Sequence, residues 1–232
     1  MKKNDKHNYK SPIKPQEMLG IIGIVAIMIL ISVQLRNQHP LKPADPVELN
    51  HLDPRTARMA ELIGAQVVPG KSVGKIRIGD SEESVMSLVG VPKLGDAAMC
   101  KSWSRWEWGN PQHVLEVFAS CDAKQDMKKT VQQIRFSGIP FETASGVSPK
   151  STFAAIQQNF KGLKVAAFFK DKTTGQQRII LDQEQQGIAF VVDAKDTKPM
   201  PQGKCHMIII HAPGKKAIDT YLQPEWDLHR LQ

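Results

Sequence analysis

Along "KIRIGDSEESVMSLVGVPK", Lys75 to Lys93, the hydrophobic pattern predicts a short strand and then a short helix. Val85, Met86, Leu88 and Val89 form the apolar side of that helix. Asp80 or Ser81 is placed to cap it, and Glu82 and Glu83 fall in the first turn, where the positive end of the helix dipole favours acids. Gly90 ends it and Pro92 prevents its resumption. "FETASGVSPKSTFAAIQQNFKG", Phe141 to Gly162, is built on the same plan. There Ser148 is the expected cap, Pro149 takes the first helical position, and Phe153, Ile156 and Phe160 form the stripe that ends at Gly162. Gly79 then aligns with Gly146, and Ser81 with Ser148.

The segments C-terminal to the two helices are also alike. Strand-like runs "CKSWSRWEW", "VLEVFASCD" and "TVQQIRFSG" come after the first; "LKVAAFFKD", "QRIILDQ", "GIAFVVDA" and "CHMIIIHA" come after the second. Short polar turns such as "GNPQ" and "KTTGQQ" join them, so each unit is a helix with three or four antiparallel strands behind it. "RTARMAELIGAQ" predicts one more short helix, with Met59, Leu62 and Ile63 on one side. The expected fold class is α+β, with two tandem helix-plus-antiparallel-sheet repeats over residues 55–139 and 140–232, the latter including a C-terminal tail.

The segment "IRIGDSEESVMSLVGVP" resembles the opening of the BamE/SmpA outer-membrane assembly lipoproteins and of the related repeats of beta-lactamase inhibitor protein: a strand, Gly-x-Ser/Thr, an acidic helix start, then Leu-x-Gly-x-Pro. The resemblance covers little more than that stretch, and no cysteine for lipid attachment is present near the N-terminus. It implies helices packed on one face of an antiparallel sheet, and binding in place of chemistry.

One segment stands outside this pattern. Met18 to Leu35, "MLGIIGIVAIMILISVQL", carries no charge. As a helix it would be roughly 27 Å long, close to the thickness of a bilayer's hydrocarbon core. A buried core helix is seldom so uniformly apolar. A cleaved signal peptide would need small residues after the apolar run, where "SVQLRNQHP" stands. The expectation is therefore an uncleaved transmembrane anchor at 18–35, between a basic tail at 1–17 and a proline-rich spacer at 36–54. Five lysines precede the run and only Arg36 and Lys42 closely succeed it, which places the N-terminus in the cytoplasm and the bulk of the chain across the inner membrane. The tail, five Lys against Asp5 and Glu17, holds +3 of the chain's +8. The +5 that remains is scattered, which argues against a nucleic-acid partner.

Cysteine placement sharpens the picture of the first unit. If Trp108 pairs with His113 across "GNPQ", Cys100 lies directly opposite Cys121, within reach of a disulfide. Cys205 is left over, as a free thiol or one that pairs between chains. In that register Ser102–Ala119, Ser104–Val117 and Trp106–Leu115 share one face of the hairpin. Trp103–Phe118, Arg105–Glu116 and Glu107–Val114 share the other. Trp103, Arg105, Glu116 and Phe118 combine aromatics with an ion pair, which suits a partner-binding surface. The alternative puts Trp103 and Phe118 beneath the helix and Trp106 outside.

Signs of catalysis are few. No Gly-x-Ser-x-Gly elbow, phosphate-binding loop or dinucleotide glycine pattern occurs after the apolar run. His206 and His211, five apart on a strand, point to opposite faces and make a poor metal site. Asp182 and Glu184 are expected to be solvated in a turn, and Ser148 and Ser151 to serve helix capping. Neither a catalytic, a cofactor-binding nor a metal-binding residue is assigned. The function expected is a membrane-anchored, extracytoplasmic binding or assembly module of the bacterial cell envelope, touching the bilayer through 18–35 and recognising a protein partner through a sheet face. The alternatives are an enzyme acting on envelope polymers with loop-borne catalytic residues, or an inhibitor or immunity protein.

Overall fold

A computed structural model describes residues 54–109, 113–121, 128–138, 140–172, 174–195, 198–221 and 226–229. The tail at 1–17, the anchor at 18–35 and nearly all of the spacer at 36–54 lie outside the described residues. Pro54, the spacer's last residue, opens helix α1 (Pro54–Ile63), whose Ala60 and Ile63 are buried.

The structure corrects two expectations. Among the described residues no helix is long and apolar enough to cross a membrane. The longest of them, α1, has 10 residues and spans about 15 Å, half a hydrocarbon core. The described residues therefore give no support to the N-terminal transmembrane helix or to the single-pass inner-membrane placement. The tandem-repeat architecture is corrected as well, because the two halves share one sheet. The described residues form a sheet-rich α+β fold with 13 strands in two sheets.

The small sheet has order β3-β2-β1-β8, with β1 (Gln66–Val68), β2 (Ser72–Val73), β3 (Ile76–Arg77) and β8 (Glu142–Thr143). Because β8 comes from the second half and pairs parallel with β1, it ties the halves together. The large sheet contains β4 (Leu94–Ala98), β5 (Lys101–Trp108), β6 (His113–Ser120) and β7 (Thr130–Ser137) from the first half. The second half contributes β9 (Lys164–Asp171), β10 (Gln177–Gln183), β11 (Ile188–Lys195), β12 (Lys198–His211) and β13 (Trp226–His229). Its order is β13-β9-β10-β11-β12-β7-β6-β5-β4. The seam is the antiparallel pairing of β7 with β12, from Gln133–His211 to Phe136–Ile208.

Helix α2 (Glu82–Val89) begins at Ser81, whose side chain accepts from the Ser84 amide, and ends at Gly90 with φ 91°. Helix α3 (Phe153–Asn159) is capped by Thr152, whose side chain accepts from the Ala155 amide. Ser148 is therefore not the cap; its amide instead donates to the Ser151 hydroxyl, 3.0 Å away, in the turn before the helix. Ser81 and Thr152 occupy matching places, since each makes an isolated antiparallel bridge, to Thr130 and Lys204 respectively.

The inner face of the large sheet carries the main core. Trp106, Leu115, Ile134, Phe136, Phe190, Ile208 and Ile210 pack there with Val85 of α2 and Ile156 of α3. The indole N–H of Trp106 donates to the Gly90 carbonyl at 3.0 Å, which fixes the end of α2 to the sheet. The opposite, outer face of the second half carries a smaller cluster of Ala167, Phe169, Ile180, Ala189, Val191 and Ile209. Ala217 of a one-turn helix, α4 (Ala217–Thr220), completes that cluster.

Candidate functional site

The hairpin β5–β6 adopts the register expected from its sequence, running from Lys101–Ser120 to Trp108–His113. A disulfide joins Cys100 to Cys121, with Cα atoms 5.2 Å apart, and closes the ladder at the end opposite the turn. Trp106, Trp108, Leu115 and Val117 are in the inner core. By the alternation of a strand, Trp103, Arg105, Glu107, Glu116 and Phe118 then belong to the outer face. The alternative that buries Trp103 and Phe118 beneath the helix is excluded.

On that outer face the register lines up Arg105, Glu116 and Arg135 across three neighbouring strands. Glu116 is 1% exposed and Arg135 is also buried. Arg105 is half-buried and bridges two acids: Nη1 donates to Glu116 Oε1 at 3.0 Å and Nε to Glu107 Oε1 at 2.7 Å. Lys93 donates to the other oxygen of Glu107 at 2.5 Å. The hydrogen bond from Lys93 and the charge of Arg105 hold the Glu107 carboxyl below its ordinary value, against the opposing effect of burial.

The C-terminal segment crosses this face, and the sheet grips it mostly by its backbone. Gln133 Nε2 donates to the Ala217 carbonyl at 2.8 Å, while the Ala217 amide donates to Asp182 Oδ2 at 2.9 Å. His211 lies with Nε2 3.0 Å from Asp182 Oδ1 and Nδ1 3.1 Å from the Ala212 carbonyl. Arg135 donates to the Tyr221 carbonyl, and its guanidinium lies 4.9 Å from the Tyr221 ring centre. That ring stacks on Phe118, with centroids 4.6 Å apart and planes 10° from parallel. Asp182 is thus a buried strand residue and not a solvated turn acid, because burial here is compensated by two hydrogen bonds.

Between this segment and the edge of the sheet lies a cleft of about 400 Å³. Asp96, Ala98, Trp103 and Phe118 form its floor, and Ile218 and Tyr221 form a wall. Its volume is within the range of ligand-sized pockets. The Trp103 indole N–H is buried and has no hydrogen-bond partner among the described residues. A larger cleft of about 610 Å³ beside α3 is lined by Phe153, Phe160, Leu163 and Val165, with Gln157 and Lys161 among its polar groups. No titratable pair converges there.

Of the four residues expected to meet a partner, Trp103 and Arg105 are half-exposed, whereas Glu116 and Phe118 are buried. Sequence reasoning missed Tyr221, Gln133 and Asp182, the residues that cover and anchor the face. Their only signal was an apolar Ala217–Ile218 pair beyond the last long strand, too short to show a period.

Among the described residues no group of three or more His, Cys, Asp or Glu could hold a metal ion. The His211–Asp182 pair is buried, with His211 fully inaccessible. Cys205 is free and buried, and burial pushes its thiol up to about 12, far from thiolate chemistry near neutrality.

No protein-family model matches the chain, and no curated protein is significantly similar to it. One solved structure is similar in shape, a DUF4309 family protein (YjgB) from Bacillus subtilis. The likeness has a TM-score of 0.36 at 14% identity, over 62% of this chain and 88% of that one. At that level it carries no argument about fold or function.

Proposed function

We propose that the chain is a non-catalytic binding module that recognises a protein partner through the outer sheet face of its first half. The observation that carries this reading is the cleft beside Trp103. It is open, ligand-sized and floored by paired strands, it carries the half-exposed ring of Trp103 as an aromatic anchor, and Arg105, held by two acids, stands next along the same strand face. Aromatic and Arg residues on a fixed scaffold dominate interface energetics. The resemblance of Ile76–Pro92 to the assembly lipoproteins and inhibitor repeats supports the same reading. The disulfide fits work in an oxidising environment.

The test begins with crosslinking in intact cells to identify the partner, and then affinity is measured with both purified proteins. Trp103→Ala should weaken binding by about 2 kcal/mol or more, as loss of an interface anchor does. Its effect on folding should be smaller than that of Trp106→Ala, which empties a core site. Normal binding by a folded Trp103→Ala variant sinks the proposal.

A further inference from the structure

Beside that cleft the large sheet ends in an unusually open edge. Among the described residues strand β4 is the terminal strand of the sheet and pairs only with β5, from Leu94–Arg105 to Ala98–Lys101. All five of its residues are exposed. A strand paired on one side leaves backbone donors and acceptors free on the other, and edges are normally protected by proline, by bulges or by several charges. "LGDAA" has no proline and one charge, Asp96. Apolar side chains gather at the same place: Leu94 is 50% exposed, Val91 90% and Met99 99%, three of the six exposed large hydrophobics among the described residues. Met99 also holds φ at 52°, a left-handed turn that favours glycine or asparagine, and the neighbouring Cys100 is fixed by its disulfide. A large apolar side chain is thereby displayed at the tip of a locked turn.

We propose that β4 is the docking edge for an extended segment of the partner, which adds to the sheet as a further strand and carries the pattern apolar–x–Lys/Arg–x–apolar. The inference rests on the binding reading above and specifies its partner. Leu94, Asp96 and Ala98 alternate on the outer face, opposite Arg105, Trp103 and Lys101. An added strand meets them in turn with an apolar residue, a cation and a second apolar residue. Above Ala98 that last side chain has room to lean into the cleft over Trp103. The pattern is the same in both directions, so it suits either strand orientation. Main-chain bonds supply affinity in such additions, and the alternate side chains supply specificity.

A second copy of this chain fits less well. Two-fold antiparallel pairing that uses all of β4 sets Leu94 against Ala98 and Asp96 against its own counterpart, and directly opposed like charges are destabilising. A different partner can place a cation there.

The test is selection of short random peptides, displayed on phage, against the full-length oxidised chain. Enriched peptides are then synthesised and measured by fluorescence anisotropy and amide hydrogen exchange. The expected result is an alternating apolar–x–Lys/Arg–x–apolar pattern, with exchange slowed at residues 94–98. Asp96→Lys should weaken binding about tenfold or more, equivalent to about 1.4 kcal/mol, and a peptide with Glu in place of its cation should recover binding to that variant. Failure to enrich any peptide, slowed exchange elsewhere, or indifference to Asp96→Lys overturns the assignment. Self-association of the chain that slows exchange at 94–98 gives the edge to a second copy and overturns it too. Partner binding that is lost in Trp103→Ala but unchanged in Asp96→Lys overturns the edge while leaving the cleft reading standing.

Discussion

Replacing Asp182 by Ala tests the anchoring of the C-terminal segment. Its carboxylate is the single group that holds both His211 Nε2, at 3.0 Å, and the Ala217 amide, at 2.9 Å. Asp182 is 4% exposed and His211 0%, so neither bond is open to bulk water. Each buried group left without its partner costs about 1–3 kcal/mol, and removal of the buried carboxylate returns part of that as relieved desolvation. The net loss should be about 2–4 kcal/mol. Denaturant unfolding of the oxidised chain measures it, and the amides of 217–221 should exchange faster because Ala217 has lost its anchor. A cycle with His211→Leu should show coupling of at least about 0.5 kcal/mol, since the two residues act as one unit. A loss under about 1 kcal/mol for Asp182→Ala, or strictly additive effects, would refute the reasoning.

Two further outcomes are expected. Cys205 should resist iodoacetamide at pH 8 in the native chain and react once the chain is unfolded, because burial holds its thiol protonated up to about 12; rapid labelling of the native chain would contradict this. Glu107 has a folded-state carboxyl below the ordinary value of 4.5, so its stabilising contribution is present above that pH and is lost as the pH falls through the lower folded value. Glu107→Gln should therefore flatten the acid limb of a stability–pH curve, and an unchanged acid limb would show that the Lys93 and Arg105 contacts contribute nothing in solution.

The sequence was most legible where local chemistry and pairing agreed. Two cysteines, a polar turn and strict alternation over Lys101–Ser120 admit one register that serves all three, and the hairpin has it. The cap of α2 was equally plain, because Ser81 and the acids behind it act within one turn. The second helix was misplaced because Ser148 and Pro149 are the better local start signal. Bridging of Thr152 to Lys204, which is remote in sequence, accompanies the later start. Long-range pairing was the harder part. Of the two- and three-residue strands of the small sheet only β3 was expected, and neither their pairing nor the joining of both halves into one large sheet leaves a periodic trace. The outer-face site was half legible: pairing put Trp103 and Arg105 on the correct side, but nothing local told that Glu116 would be buried or that Tyr221 would stack on Phe118.

The β7–β12 seam has a consequence in time. Its two sides, Gln133–Phe136 and Ile208–His211, emerge from the ribosome roughly 75 residues apart, which at the usual pace of synthesis is about 4–15 s. During that interval a nascent first half presents β7 as an edge bearing Ile134 and Phe136, two of the most deeply buried side chains of the finished protein. The chain therefore carries a waiting period into its own biogenesis, during which a chaperone or the wrong strand can reach that edge before β12 does.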